Sequence, residues 1–191
     1  MPRISRRSLP VATVELARYL IGKRLVHESA AGRIAGRIVE TEAYPPGDPT
    51  GYARPGLTTS NAPLFAARGT AYVRMVYGTC LTLNLAAEAA GVGAAVLIRA
   101  LEPTEGIAHM LKHRPDSRLV DLARGPGRVC AALGIDRELS GADLTMHPRL
   151  WLERMGASAT IQVTTRIGLS RDQHRRLRFI ERGNPFVSVP P

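Results

Sequence analysis

AYVRMVYGTCLTLNL, residues 71–85, decides the architecture. Its first half, 71–78, reads as a strand running into a turn at Tyr77 and Gly78. Residues 79–85 read as a strand leading away, so the two are expected to form a hairpin. Downstream, 94–101 is a further strand candidate; upstream, 24–28 and 33–44 are two more. Short strand-like stretches near 150–153, 161–166 and 177–182 close the chain. Helices are fewer. Behind a basic arm over 1–8, expected to be flexible, Thr13 is placed to cap a short helix ending near Gly22. Val14, Leu16, Ala17, Leu20 and Ile21 form its apolar stripe. A second helix is expected over about 103–112, with Pro103 in its first turn. Gly125, Pro126 and Gly127 open a third over 128–133, closed by Gly134. Residues 45–63, dense in Pro, Gly, Thr and Asp, read as a long irregular loop, and such loops in compact domains are often functional. Strands outnumber helices and do not alternate with them regularly, which favours one mixed α+β domain over residues 1–191 rather than a doubly wound sheet.

Composition limits the partners. A chain of 191 residues buries roughly two-thirds of its unfolded surface, enough for one substantial core. The 26 Lys and Arg outnumber the 16 Asp and Glu, giving a formal net charge of +10 and a pI near 10.7. Most of that base is arginine, whose planar fork suits phosphate, so a polyanionic partner is expected. Cys80 and Cys130 make neither a disulfide framework nor a metal-ligand spacing, which fits a reducing compartment and no metal. The basic start of the chain leads to Glu15 and Arg18, not to an apolar signal core. No apolar run is long and smooth enough to span a membrane, so a cytoplasmic protein is expected, associated with the nucleoid in a prokaryote.

RIVETEAY, residues 37–44, breaks the pattern of a core strand by carrying two acids. With a two-residue period, Ile38, Glu40, Glu42 and Tyr44 share one face, and Val39, Thr41 and Ala43 share the other. If the acidic face meets solvent, the carboxylates are ordinary decoration. If it lines a cleft, one of them can activate water and stabilise positive charge on a sugar as its substituent leaves, while the other tunes it or anchors nearby backbone. Tyr44 is then either core or a stacking surface for a flat ligand.

Several blocks together carry a resemblance: ETEAY (40–44), YVRMVYG (72–78), Asn84, LIRALEP (97–103), WLER (151–154) and RFIERGNPFVS (178–188). In order and spacing, over about positions 9–190, they resemble the alkyladenine (3-methyladenine) DNA glycosylase family. The expected fold is a single mixed α+β domain with a curved, largely antiparallel sheet, a projecting β-hairpin and packed helices. The resemblance implies a monomeric, monofunctional, cofactor-free base-excision enzyme that flips a damaged purine from double-stranded DNA and hydrolyses its N-glycosidic bond. Carried over by position, Glu42 is the general base for water and Arg99 lies near the water and phosphate. Tyr44 stacks on the flipped base, Tyr72 belongs to the base pocket, and Asn84 screens purines by their exocyclic groups. Tyr77 is the wedge that fills the vacated place in the duplex. Flipping costs a few kcal/mol of unstacking, which gives both a filler residue and an aromatic pocket wall a purpose. No lysine is placed as a Schiff-base nucleophile, so no lyase activity is expected.

Two pocket positions depart from the family pattern. Arg74 stands where a second stacking tyrosine is usual, and Tyr52 stands where a histidine is common; residues 28–108 contain no histidine. Arg74 repels a cationic base unless it is turned outward or paired, with Glu40 and Asp48 as candidate partners; alternatively it stacks on a neutral purine such as hypoxanthine and donates to it. The alternatives are a glycosylase of shifted base specificity, a damage-binding DNA protein that has lost hydrolysis, and an enzyme of nucleosides or RNA bases. Gly127 and Arg128 either meet a DNA phosphate at a helix amino terminus or make a tight turn. Arg175 and Arg176 belong to a solvated face or to a strip contacting the DNA backbone. His109 and His113, four apart with no third ligand, are expected to be exposed polar residues.

Overall fold

A computed structural model of the chain describes residues 1–29, 32–156 and 159–190. The first helix, α1, spans Thr13–Leu20 and buries Leu16, Ala17 and Leu20. Thr13 is its first helical residue rather than its cap. The cap is Ala12, which has no side-chain acceptor to offer. Glu88 supplies one instead: its carboxylate accepts from the Thr13 amide at 2.7 Å and the Thr13 hydroxyl at 2.6 Å.

Strands β1 (Arg24–Ser29) and β2 (Gly32–Tyr44) form an antiparallel pair. The expected hairpin follows as β3 (Ala71–Val76) and β4 (Cys80–Ala86), with Tyr72 opposite Asn84 and Arg74 opposite Thr82. β5 runs over Ala95–Glu105, past the point where a helix was expected. Pro103 pairs with Gly36 inside the sheet, and the chain turns only at Gly106 (φ 72) into α2, Ile107–His113. A Cβ at Gly106 would come within 2.4 Å of the Arg33 carbonyl oxygen, so the turn requires glycine. α3 (Pro126–Leu133) ends on Gly134 in the left-handed conformation. β6 (Leu150–Glu153), β7 (Ile161–Thr164) and β8 (Arg178–Glu181) complete the sheet.

The strand order is β3-β4-β5-β2-β1-β6, with β8 pairing with both β2 and β7, and every ladder is antiparallel. The sheet curves into a half-barrel whose inner face carries the main core. There α1 packs on β2 and β5, and α3 packs on β4 and β5. Residues 1–8 do not hang free. The Ile4 side chain is fully buried, its amide donates to Leu152 O at 2.9 Å, and Arg3 bridges to Glu153. Ile4, these backbone bonds and the Arg6–Asp143 ion pair dock the arm against the fold. The expected α+β fold with a curved antiparallel sheet and packed helices is the fold observed.

The long strand β2 does not keep its period. Ile38 pairs with Leu101 and Glu40 with Ala100, which leaves Val39 as an extra residue; Thr41 then pairs with Ile98, which leaves Arg99 as an extra residue on β5. These bulges reverse the alternation locally. Ile38 therefore joins Ala43 in the main core, on the opposite side from Glu40, contrary to the simple two-residue reading. Val39 instead packs with Ala100, Ile180 and Val187. The outward face of β2 is left with Glu40, Glu42 and Tyr44, and β5 adds Arg99 to it.

Candidate active site

Both acids of β2 are wholly buried, so neither is surface decoration. Burying a carboxylate without partners is costly, and each has a full set. Glu40 accepts from Arg178 at 2.7 Å, Arg99 at 3.0 Å, the Ser188 hydroxyl at 2.9 Å and the Ser188 amide at 2.6 Å. It ties β5, β8 and the tail after β8 to one point of β2. Glu42 accepts from the Tyr44 hydroxyl at 2.8 Å and the Ile167 amide at 2.8 Å, and its Oε2 lies 3.2 Å from Arg99 Nη1. Arg99 thus spans both acids: one guanidinium, held by Glu40, is aimed at Glu42.

Three groups around Glu42, namely Tyr44, Arg99 and Ile167, line a cavity of about 250 Å³ together with Tyr52, Thr82, Asn84 and Leu97. That volume holds one flat heterocycle. Tyr44 forms part of its wall; burial first, then the adjacent Glu42 carboxylate, drives its phenol well above the ordinary range, so it stays a donor. The far side of the Tyr44 ring is backed by Arg166, whose Cζ lies 4.6 Å from the ring centroid. Arg166 is buried and held by Asp48 at 2.9 Å and by the Ala43 carbonyl at 3.1 Å. Burial works against ionising Asp48, yet the Thr50 hydroxyl and amide and then Arg166 outweigh it and hold the carboxyl below its usual range. Asp48 therefore pins the loop over 45–63 against the segment carrying Arg166.

On the same loop Asn61 donates to the carbonyls of Tyr52 and Gly56, at 3.0 and 2.9 Å, which fixes the backbone at Tyr52. The Tyr52 ring meets Tyr72 edge to face, with centroids 6.3 Å apart, and carries the Arg74 guanidinium 4.4 Å from its centroid. Arg74 also donates to the Tyr72 hydroxyl at 3.1 Å. Neither Glu40 nor Asp48 pairs with it, since Glu40 is taken by Arg99 and Arg178, and Asp48 by Arg166 and Arg175. Tyr72 and Arg74 open instead onto an adjacent shallow groove with Ser60, Met75 and Arg137. Asn84 is buried at the cavity wall and donates weakly, at 3.5 Å, to Tyr72 O.

Above the cavity the β3–β4 turn places Tyr77 at the tip, 88% exposed. Tyr77 (φ 53) and Gly78 (φ 68) are both left-handed, and a tyrosine is rarely held in that conformation. The start of β4, just after the turn, rests on α3: a Cβ on Gly127 would meet the Cys80 Cβ at 3.0 Å. Close packing under the hairpin accounts for that glycine. Arg128 is half-exposed beside Asp121, at 3.4 Å. Arg175 turns inward to Asp48 at 3.0 Å, and Arg176 donates to Val163 O at 2.7 Å. His113 is exposed with its Nδ1 at 3.1 Å from Ala132 O, whereas His109 is half-buried and packs against Gly32. No cluster of three or more metal-ligating side chains occurs among the described residues.

The sequence reading missed Arg166, Ile167, Arg178 as a buried residue, and Ser188 as a ligand of Glu40. Arg166 sits at the end of a strand-like run and Arg178 in a string of arginines that reads as solvated. No local pattern marks either as buried, because their carboxylate partners lie 118 and 138 residues away.

The family model for Methylpurine-DNA glycosylase (MPG) matches residues 8–185. A Paraburkholderia phytofirmans protein is 51% identical over 97% of this chain and 87% of its own length. A Mesorhizobium japonicum protein is 50% identical over 99% of this chain and 91% of its own. One from Methanocella arvoryzae is 42% identical over 98% and 96%. All three bear the name "Putative 3-methyladenine DNA glycosylase".

Proposed function

The chain belongs to the methylpurine-DNA glycosylase family, whose general activity is DNA glycosylase chemistry in base excision repair, and from that premise we propose how its own residues carry out the reaction. A single domain binds double-stranded DNA through its arginine-rich surface, and Tyr77 enters the stack as a damaged purine swings out. The purine enters the cavity beside Tyr44, bounded by Tyr52 and Asn84. Glu42 accepts a proton from a water as that water's oxygen bonds to C1′ of the sugar. The bond from C1′ to the purine nitrogen breaks and its electron pair leaves with the base; a purine that was neutral takes up a proton from solvent, to which Glu42 returns the one it accepted. The products are the free base and an abasic deoxyribose.

The observation that carries this reading is the placement of Glu42: buried just behind a ligand-sized cavity, held by two hydrogen-bond donors and an arginine ion pair from three separate segments. Such a cage fixes the carboxylate within the tolerance that proton transfer requires, since misplacement by an ångström costs about a hundredfold. Tyr44, Arg99 and Ile167 are the groups between Glu42 and the cavity, and in this proposal the attacking water takes the place of the Tyr44 hydroxyl at the carboxylate.

Chromatographic detection of free base tests the reading. Hypoxanthine in a duplex is expected to be released, and the corresponding free nucleoside to remain intact. Turnover of the nucleoside alone points to an enzyme of small substrates. Duplex binding without release of any damaged base leaves a damage-binding protein.

A further inference from the structure

Both aromatic walls of the cavity carry a guanidinium on one face. Arg166 lies over Tyr44 at 4.6 Å, and Arg74 lies over Tyr52 at 4.4 Å. The arginines differ in what neutralises them. Arg166 is clasped by Asp48, and Arg99 is shared by Glu40 and Glu42. Arg74 has no carboxylate partner among the described residues; it meets only the hydroxyl of Tyr72 and the ring of Tyr52. Across the site the carboxylates of Glu40, Glu42 and Asp48 face the guanidiniums of Arg74, Arg99, Arg166, Arg175 and Arg178, so the local excess is positive.

An aromatic ring attracts a cation to its negative face. When one face already holds a guanidinium, a second cation on the other face is repelled across the ring. A neutral heterocycle stacks there without that repulsion. An arginine plane beside it also offers donors to carbonyl and ring-nitrogen acceptors.

Resting on the glycosylase reading above, we propose that this cavity selects electrically neutral damaged purines over purines bearing a fixed positive charge, and that Arg74 sets the preference. Arg74 achieves this through Tyr52 and through its own uncompensated charge at the edge strand β3. Arg166 backs the opposite wall, but its charge is largely cancelled by Asp48.

The test compares two duplexes, one carrying hypoxanthine (neutral) and one carrying 7-methylguanine (cationic), under single-turnover conditions. Each rate is divided by the enzyme-free rate, because cationic purines leave the sugar more readily unaided. Arg74→Tyr is expected to move the hypoxanthine-to-7-methylguanine ratio toward the cationic base by about tenfold, the effect of one nearby charge in a partly solvated site. Arg74→Lys keeps the charge and is expected to keep most of the parental ratio. If both bases are released and Arg74→Tyr leaves the ratio unmoved, the selectivity proposal fails while the glycosylase reading stands. If the parent releases neither base, both fail together.

Discussion

Two acids at the end of β2 have different surroundings: Glu40 ties strands and tail together, and Glu42, the proposed base, lies behind the cavity. Glu40 is the hub that holds Arg99, Arg178 and the Ser188 backbone. Its replacement by Gln removes the charge that two buried guanidiniums share. Breaking a buried pair of this kind costs about 3–5 kcal/mol, and Arg99 loses the anchor that aims it at Glu42. Glu40→Gln is therefore expected to lower the urea midpoint and to slow base release together, whereas a change at an exposed arginine such as Arg118 moves neither. His27 yields a pH effect on stability. Burial, the largest influence, lowers the pKa of its ring despite the opposing bond to the Leu133 carbonyl, and its Nε2 has no partner among the described residues. The unfolded chain thus takes up a proton near pH 6.5 that the folded chain refuses. Stability is fully present above that pH and declines as the pH falls through the window below it. His147, lowered chiefly by burial, adds the same sign. Melting curves between pH 7.5 and 5 (about 2.5 units spanning the histidine range) are expected to show the decline, and His27→Leu to flatten most of it.

At the scale of elements, the β3–β4 hairpin is the projecting device. Its tip residue touches little of the fold, so Tyr77→Ala is expected to change stability by less than about 0.5 kcal/mol. The same change is expected to slow release from duplex DNA strongly, while a lesion in single-stranded DNA, which needs no wedge, is less affected. Equal loss on both substrates contradicts the wedge assignment. This hairpin was legible in the sequence because its signal is local: two extended runs around a Tyr-Gly step. The second helix was misread for the converse reason. Pro103 suggests a helix start locally, but pairing with β2 keeps residues 95–105 extended until Gly106 turns the chain. The β2 alternation placed Glu40, Glu42 and Tyr44 together correctly. It misplaced Ile38, because a bulge is a property of two paired strands and leaves no mark on one of them. Among the residues expected in the pocket, Arg74 and Tyr52 stand out in the sequence as departures from the family pattern; Tyr52 lines the cavity and Arg74 the adjacent groove. Their stacking on each other depends on a loop pinned by Asp48 and Asn61, which no spacing reveals.

The whole molecule carries positive charge both over its surface and, in smaller measure, around the cleft. Glu40, Glu42 and Asp48 offset three of the five arginines there, so most of the +10 net charge lies elsewhere. Binding to undamaged duplex is expected to weaken at least about a hundredfold between 50 and 200 mM salt, as counterion release dictates for several phosphate contacts. An affinity insensitive to salt contradicts electrostatic docking on the DNA backbone. The sheet serves the cleft in a simple way: one face carries the main core, while the other brings Glu42 on β2, Asn84 on β4 and Leu97 and Arg99 on β5 together at the cavity. Activation of the attacking water falls to Glu42 in the proposed reaction. Its most direct test is the single-turnover rate of hypoxanthine release by Glu42→Gln beside the parent, with duplex affinity measured on the same preparations. A rate lower by about a thousandfold or more, with affinity unchanged within a few fold, is the predicted result. Release at near-parental rate from a well-folded Glu42→Gln protein would contradict the account and move the chemistry to another residue.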